Sequence, residues 1–270
     1  MRRSVAVGVG GAGGWNALAW AVEQGHQSGG RLVLVHVCPP GSMLDRGDGE
    51  PTAAEVELTD PGLARAVTAS RRKLGGRRVG LTIRSGDASS RLVEASSGAD
   101  LLVVGAGGRT SRRVLRGAHC PTVIVRNTTP QPQESFAGMV VVGVDASAAG
   151  GAAVDFAFAF AQEHRLPLAA VHVLTHRERQ PEAAVQRLAD DVVARQRTYP
   201  DVPVVSTVLH GNVAAALIQA GAGAALLVVG DKRRGPLGRV RTGDVVVTVA
   251  DKAPCPVAVV PADQRSGDPL

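Results

Sequence analysis

Residues 98–105 read Gly-Ala-Asp-Leu-Leu-Val-Val-Gly, and residues 223–230 read Gly-Ala-Ala-Leu-Leu-Val-Val-Gly. Each stretch contains a short apolar run that ends at a glycine, which is typical of a buried strand in a parallel sheet. The first apolar run of the chain is duplicated as well, since Val-Ala-Val-Gly at 5–8 returns as Val-Val-Val-Gly at 140–143. The chain therefore consists of two copies of one unit.

Each copy alternates apolar runs with amphipathic stretches of helical length. The predicted strands are 4–9, 32–37, 79–84, 101–105 and 122–126, then 139–144, 168–174, 203–209, 225–230 and 257–260. The predicted helices are 13–28, 60–74, 87–97 and 110–117, then 149–164, 180–197, 212–221 and 243–251. This alternation predicts an α/β fold with two doubly wound, five-stranded parallel sheets.

Domain boundaries follow from composition. Repeat 1 is predicted to span 1–127 and repeat 2 to span 138–262, joined by a polar, proline-rich linker at 127–138. The short linker predicts that the repeats pack as a pseudo-twofold pair. After the second strand, repeat 1 carries a polar, glycine-containing insert at 40–58, which we expect to be a surface loop.

Composition narrows the classes of function. The 270 residues carry a formal charge of +6, so anionic partners, including nucleic acid, come into consideration. One tyrosine and four phenylalanines argue against a surface that stacks bases, and we expect no nucleic-acid partner. The apolar stretch 213–230 has a charged counterpart at 88–105, so a soluble helix and strand are expected rather than a membrane span.

Cys38, Cys120 and Cys255 do not form a disulfide framework. Two of them occupy the same position in separate repeats, so we expect buried, small hydrophobic residues and a reducing, cytoplasmic compartment. His36 and His172 also recur at one strand position, which favours packed, hydrogen-bonded core residues. No arrangement typical of a catalytic triad, a metal site or paired catalytic carboxylates is evident.

In a doubly wound sheet, ligands bind beyond the carboxyl ends of the strands. Strand 1 of repeat 2 ends with Gly143, followed by Val-Asp-Ala-Ser at 144–147. Asp145 at this place could accept hydrogen bonds from a base or ribose, or hold a metal beside phosphates. The alternative is a helix cap by Asp145 or Ser147.

The fourth strand of repeat 2 is followed by a basic loop. After Gly230 the chain reads Asp-Lys-Arg-Arg-Gly-Pro-Leu-Gly-Arg-Val-Arg-Thr-Gly-Asp, and a helix is predicted from Gly243. Glycines, cationic side chains and free N–H groups at a helix start suit a phosphate group. The alternative is a solvated basic surface loop.

Taken together, the motifs resemble those of a tandem universal stress protein. They are Val-Val-Gly-Val-Asp-Ala-Ser at 141–147, Val-His-Val at 171–173, Leu-His-Gly-Asn at 209–212, Leu-Leu-Val-Val-Gly at 226–230 and Ala-Pro-Cys-Pro-Val at 253–257. The resemblance covers residues 3–126 and 138–261 and implies strand order 3-2-1-4-5 in each repeat. Many members of this family bind ATP and dimerise, and others bind no nucleotide.

The resemblance implies an ATP site in repeat 2 only, with departures from the family pattern. Arg233 stands where the second glycine is expected, and Asp244 stands where a serine or threonine would contact phosphate. Asp244 would repel phosphate but is well suited to cap a helix. The predicted binding residues are Gly143, Asp145, Val173 (through its backbone), Gly211, Gly230, Arg233, Gly243 and Asp244.

Repeat 1 is expected not to bind ATP in the family manner. Gly10 replaces the strand-1 aspartate, and Gly105 lies 15 residues before Cys120, whereas the spacing in repeat 2 is 25. Gly8-Val-Gly10-Gly-Ala-Gly13 fits a dinucleotide fingerprint, but no acid ends the second strand. A glycine-rich turn is the simpler interpretation.

The predicted function is that of a non-enzymatic stress-response or regulatory protein that acts through protein contacts and self-association. The nucleotide site of repeat 2 is degenerate, and if ATP binds at all, it binds this repeat, with one ATP per chain. One alternative is an ATP-hydrolysing or nucleotidyl-transferring enzyme, which would need a catalytic base or a His-x-Gly-His signature. A further alternative is a basic nucleic-acid-associated protein.

Overall fold

The computed structural model describes residues 3–46, 51–127, 135–145, 147–176, 181–232 and 244–262. The chain divides into two compact units, 1–127 and 128–270. Both units alternate strands and helices, as the apolar runs predict. The predicted pseudo-twofold packing of the two repeats stays a prediction.

The first unit holds a fully parallel sheet with strand order β3-β2-β1-β4-β5. Its strands are β1 (Ser4–Val9), β2 (Arg31–Cys38), β3 (Val79–Ser85), β4 (Leu101–Gly105) and β5 (Thr122–Val125). Its helices are α1 (Gly11–Ser28), α2 (Ala53–Thr59), α3 (Pro61–Leu74), α4 (Ala88–Ser96) and α5 (Gly108–Gly117). The predicted order 3-2-1-4-5 is confirmed for this unit.

The second unit repeats the pattern with strand order β8-β7-β6-β9-β10, again parallel. Its strands are β6 (Val140–Gly143), β7 (Leu168–Leu174), β8 (Val204–His210), β9 (Leu226–Asp231) and β10 (Val257–Pro261). Its helices are α6 (Ala148–His164), α7 (Pro181–Gln196), α8 (Val213–Ala220) and α9 (Asp244–Lys252). Counted from the first strand of the unit, this order is again 3-2-1-4-5.

The core of each unit lies on the central strands. Leu34 and Leu102 in the first unit, and Val141 and Leu227 in the second, have no exposed side-chain surface. Parallel strands joined by crossover helices are covered on both faces, so their residues are apolar throughout rather than alternating. This explains why short runs of Val, Leu and Ala sufficed to locate them.

One contact between strand and helix recurs in both units. A methyl group on Gly105 would lie 2.2 Å from the carbonyl carbon and oxygen of Gly13 on α1. A methyl group on Gly230 would lie 2.3 Å from the carbonyl oxygen of Ala149 on α6. Glycine at the end of strand 4 therefore permits the first helix to cross the strand at backbone contact.

The insert at 40–58 departs from its prediction as a plain loop, because α2 lies within it. Thr52 caps this helix: its Oγ1 accepts from the Glu55 amide at 3.3 Å, and the Glu55 carboxylate accepts from the Thr52 amide at 2.8 Å. This reciprocal pair is a capping box, and its Thr-x-x-Glu signature is present in the sequence. Val56 and Leu44 are buried and anchor the insert.

Candidate functional site

The turn after β6 holds Asp145 in a fixed orientation. Its Oδ1 accepts from the Ser147 amide at 3.0 Å and from the Ser147 hydroxyl. The Ser147 hydroxyl also accepts from the Gly150 amide at 3.1 Å and so caps α6. The sequence offers either Asp145 or Ser147 as the N-cap of α6, and the structure shows that Ser147 is the cap. The second carboxylate oxygen of Asp145, Oδ2, therefore remains available to another partner.

That partner is Lys232, which follows β9 directly. Its Nζ lies 2.7 Å from Asp145 Oδ2, and the two side chains are 61% and 47% exposed. Such exposed ion pairs contribute about 0–1 kcal/mol, so a ligand can replace the lysine at small cost. Burial raises the pKa of Asp145, but the hydrogen bonds from Lys232 and Ser147 outweigh it and bring the pKa below its ordinary value.

The crossing of β9 and α6 brings this pair together. Gly230 contacts the backbone of Ala149, and a methyl group on Gly150 would lie 2.4 Å from the Asp145 carbonyl oxygen. Strand β9 is therefore close to the turn after β6, at the point where the order of strands reverses. Ligands of doubly wound sheets bind at this point.

A cavity of 720 Å³ opens at the carboxyl ends of β7 and β8. Its lining comes from the segments after these two strands and from α9: Thr175, His176, Gly211, Asn212, Val213, Ala214, Val245 and Thr248. Ligand pockets generally occupy about 300–1,000 Å³, so the size suits a small organic ligand.

The predicted residues take different places around this edge. Val173 lies on β7, buried, two residues before the cavity wall, and Gly211 is part of that wall with a φ of +117°. A methyl group on Gly143 would lie 3.2 Å from Leu217 of α8, so packing already accounts for that glycine. Asp244 is the first residue of α9.

Arg233 and Gly243 lie outside the described residues, as does the side chain of Asp244. Their predicted roles stay predictions. The basic loop is described only at its first members, including Lys232.

The corresponding edge of repeat 1 lacks both parts of the site. Gly10 is the N-cap of α1, with φ 126° and ψ 149°, and it provides no side-chain hydrogen bond. Strand β4 and helix α5 are joined by Ala106 and Gly107 alone. This connection is short, and the predicted loss of the phosphate loop from repeat 1 stays a prediction.

Packing accounts for the dinucleotide-like glycines of repeat 1. A methyl group on Gly8 would lie 3.0 Å from Leu92, and one on Gly13 would lie 3.1 Å from the Ala106 carbonyl oxygen. Gly10 provides the positive φ that the turn requires. Each glycine therefore has a structural cause within the fold.

Comparison with known proteins agrees with this architecture. The family model described as "Universal stress protein family" matches residues 1–126 and 138–261. The chain belongs to the universal stress protein family. Tandem organisation within the family is shown by the two separate matches.

Two relatives and one solved structure illustrate the range of similarity. A universal stress protein of Mycobacterium tuberculosis (strain CDC 1551 / Oshkosh) is 34% identical over 191 residues, 62% of this chain. The match spans 63% of that relative's length. A universal stress protein of Mycolicibacterium smegmatis is 28% identical over 90% of this chain and 92% of its own. The crystal structure of a universal stress protein from Archaeoglobus fulgidus has a TM-score of 0.72 at 15% identity, covering 96% of this chain and 98% of that one.

Sequence reasoning missed several features of this universal stress protein. The Asp145–Lys232 ion pair depends on the crossing of β9 and α6, so no local sequence motif predicts it. Ser147 was visible as one of two candidate caps. Asp231, fully buried at the end of β9, was read only as the first residue of the basic loop.

The two recurring histidines are half-buried and differ in their contacts. His172 Nδ1 lies 2.9 Å from the Val144 carbonyl oxygen, which fits the predicted hydrogen-bonded role. Two other buried ring nitrogens, His36 Nδ1 and His172 Nε2, have no hydrogen-bond partner among the described residues, so the prediction fails at these atoms. Gly10 is the nearest turn residue to His36 Nδ1, since a methyl group on Gly10 would lie 3.5 Å from that atom. In repeat 2, the Val144 carbonyl oxygen is the hydrogen-bond partner of the corresponding nitrogen, His172 Nδ1.

The cysteines behave as predicted for small hydrophobic residues, since all three are buried. Burial raises the pKa of the Cys255 thiol to about 12, so it stays protonated at neutral pH.

Within the described ranges, no cluster of three or more His, Cys, Asp or Glu side chains could hold a metal ion. No helix among the described residues combines the length and apolarity needed to cross a membrane.

Proposed function

We propose that this universal stress protein is a non-enzymatic regulatory protein whose second repeat binds one adenine nucleotide, ATP in the first instance. The observation that carries the proposal is the Asp145 carboxylate, fixed by Ser147 at the switch point of the sheet and paired with an exposed lysine. A carboxylate held in this way is a ready acceptor for the N–H or hydroxyl groups of a nucleoside.

The neighbouring cavity supports the same ligand. It lies between the segments after β7 and β8 and the first turns of α9, with Thr175, His176, Asn212 and Thr248 as polar groups in a mainly apolar wall. Ligand pockets commonly combine apolar lining with a few polar groups that fix orientation. The start of α9 faces the same cavity through Val245, so its backbone N–H groups are near the expected phosphates.

Lys232 has a double role in this proposal. Without ligand it neutralises Asp145 at 2.7 Å. When a nucleotide engages the carboxylate, the lysine is released and its ammonium group becomes available to a phosphate. The ammonium group then pairs with a phosphate, while the Asp145 carboxylate is held by hydrogen bonds from the nucleoside and from Ser147.

We further propose that nucleotide occupancy modulates contacts with protein partners, or between copies of this chain, in the cytoplasm. Neither an enzymatic nor a nucleic-acid-binding role is part of this proposal. Release of ADP or of a nucleotidyl product on incubation with ATP and magnesium would contradict it. So would DNA binding with a steep salt dependence, since that would make phosphate contacts the main interaction.

Calorimetric titration of ATP into the intact chain tests the binding step. We expect one site per chain and weaker binding by Asp145→Asn, by about 1–3 kcal/mol, the usual contribution of hydrogen bonds to a charged group. Asp201→Asn is the matched control, because Asp201 is an exposed aspartate in the turn before β8. Arg233→Gly combined with Asp244→Ser should tighten binding by removing bulk and an opposing charge. Equal affinity of Asp145→Asn and the unmodified chain would refute the proposed site.

A further inference from the structure

A second cavity, of 690 Å³, lies in repeat 1, at the edge of the sheet farthest from β4 and β5. Its walls are α2, α3 and the edge strand β3. We call it the α2–α3 cavity. The insert that was expected to be a plain loop therefore builds one wall of a cavity that is open to solvent.

The floor of the α2–α3 cavity is apolar. Val56 of α2 and Val67 of α3 are buried at 3% and 5% exposure, and both line the space. Leu81 and Ile83 project from β3 toward the same space and are only half-buried. Apolar side chains of an edge strand thus face a cavity that the described residues leave unfilled.

The rim of the cavity is cationic. Arg65 and Arg72 line it, seven residues apart on α3, so they lie on one face of the helix with Thr68 between them. Neither arginine has an ion-pair partner among the residues that the structure describes. Glu57 supplies the opposite charge in the lining, where Arg71 adds a third guanidinium, so the described rim is net positive.

Repeat 2 lacks the same construction at its own edge strand. Residues 39–60 separate β2 from α3, whereas 175–180 separate β7 from α7. On β8, the exposed Ser206 stands at the position that Leu81 holds on β3, given the offset of 125 between the strands. The cavity is therefore a property of repeat 1 and independent of the nucleotide site proposed above.

We propose that the α2–α3 cavity binds an amphipathic carboxylate, such as a medium-chain fatty acid. Its aliphatic chain would cover Leu81 and Ile83, and its carboxylate would pair with Arg65 or Arg72. Guanidinium groups form strong, charge-assisted hydrogen bonds with carboxylates. Among the described residues, the lining contains no aromatic side chain on which a base could stack, which favours an aliphatic ligand over a nucleotide.

Decanoate is the probe, titrated into the intact chain below its micellar concentration. We expect one decanoate per chain. Decanol and acetate should each bind at least tenfold more weakly, because decanol lacks the carboxylate and acetate lacks the aliphatic chain. Arg65→Gln with Arg72→Gln should weaken decanoate binding at least tenfold. Leu81→Ser, which installs the residue found at this position in repeat 2, should weaken it as well.

Arg77→Gln is the matched control, since Arg77 is an exposed arginine that follows α3 and does not line the cavity. Hydrogen exchange of the unmodified chain gives a second readout that needs no variant: decanoate should protect α2 and α3 and leave the second unit unchanged. Absence of decanoate binding, equal binding of decanol, or an equal loss in Arg77→Gln would each overturn the proposal.

Discussion

In both repeats the fourth strand crosses the first helix at backbone contact. The repeats differ in the turn that follows the first strand, beside this crossing. In both, a glycine at the end of strand 4 lies against the backbone of the first helix. Beside that crossing, repeat 2 carries Asp145 and Ser147, whereas repeat 1 carries Gly10. The crossing is needed to form the sheet and its first helix, while the turns are free to gain or lose chemistry. The two repeats thus share a fold, whereas only repeat 2 carries the carboxylate of the proposed site.

The shared crossing predicts the largest effect. Gly105→Ala and Gly230→Ala should each destabilise their own repeat by about 1–3 kcal/mol, because the added methyl group overlaps backbone that cannot move aside. Both tryptophans, Trp15 and Trp20, lie in repeat 1 and the single tyrosine, Tyr199, lies in repeat 2. Urea titrations followed by fluorescence therefore distinguish the two units.

Gly98→Ala is the control for this comparison, since a methyl group there meets nothing within 4 Å. If one repeat tolerates alanine and the other does not, then the crossing is not equivalent in the two copies.

The turn after the first strand predicts the next effect. Gly10→Asp would restore the residue type found in repeat 2, yet the φ of 126° and ψ of 149° at Gly10 fall in a region that is essentially restricted to glycine. We expect a loss of about 1–3 kcal/mol in the stability of repeat 1 and no new nucleotide site. Tryptophan fluorescence in urea measures the first effect and calorimetry with ATP the second. A stable variant that binds ATP would contradict this expectation, because the identity of residue 10 alone would then account for the difference between the two turns.

The helix that follows strand 3 has a titratable N-cap in repeat 1 and a non-titratable N-cap in repeat 2, so the two repeats should respond differently to acid. Asp87 caps α4, and the equivalent Asn212 caps α8 by accepting from the Ala215 amide at 3.0 Å. Hydrogen bonds from the Ser89 hydroxyl and then the Ser90 amide lower the pKa of Asp87 from 3.8 to about 2. The carboxylate therefore stabilises α4 fully above pH 3.8, and this contribution is lost as the pH falls toward 2.

We expect the Ser90 amide to lose protection between pH 4 and pH 2 in NMR exchange measurements, while the Ala215 amide changes less. Asp87→Asn should abolish the difference, because the amide cap does not titrate. Parallel behaviour of the two amides in the unmodified chain would show that acid acts on both repeats alike.

The smallest expected effect concerns the cysteines that precede the last strand of each repeat. Cys120 and Cys255 are 6% and 3% exposed, and burial raises the pKa of Cys255 to about 12. We expect neither thiol to react with iodoacetamide at pH 8 in the folded chain, because both are buried and the raised pKa of Cys255 also keeps that thiol protonated. Mass spectrometry after labelling reads both sites, and chain unfolded in urea provides the positive control. Rapid labelling of one thiol alone would reveal local opening in that repeat.

The sequence predicted most of the fold because strands that are buried on both faces leave uninterrupted apolar runs. Strand β7 was predicted at its observed bounds, and β6 was predicted one residue too long at each end. Helix α2 was missed because Val56 is its single buried position, although the Thr52–Glu55 capping box marked its start. Such a short helix has too little amphipathic pattern to stand out against a polar insert.

The candidate site was predictable in position and less so in contacts. Asp145 was identified because the carboxyl ends of parallel strands meet at one edge. Its ion pair with Lys232 was not, since the contact joins segments separated by 86 intervening residues and depends on how closely β9 approaches α6. Side-chain pairing across an edge follows from tertiary geometry, which no spacing of residues within one turn encodes.

The contact between Gly230 and α6 has a thermodynamic consequence for recognition. Because the backbones touch and Ser147 fixes the carboxylate, the Asp145 side chain has a defined orientation without a ligand. Association then requires little ordering of this turn, and the conformational entropy lost on binding is correspondingly reduced. For the nucleotide proposed above, folding of the repeat would prepare this half of the site before binding.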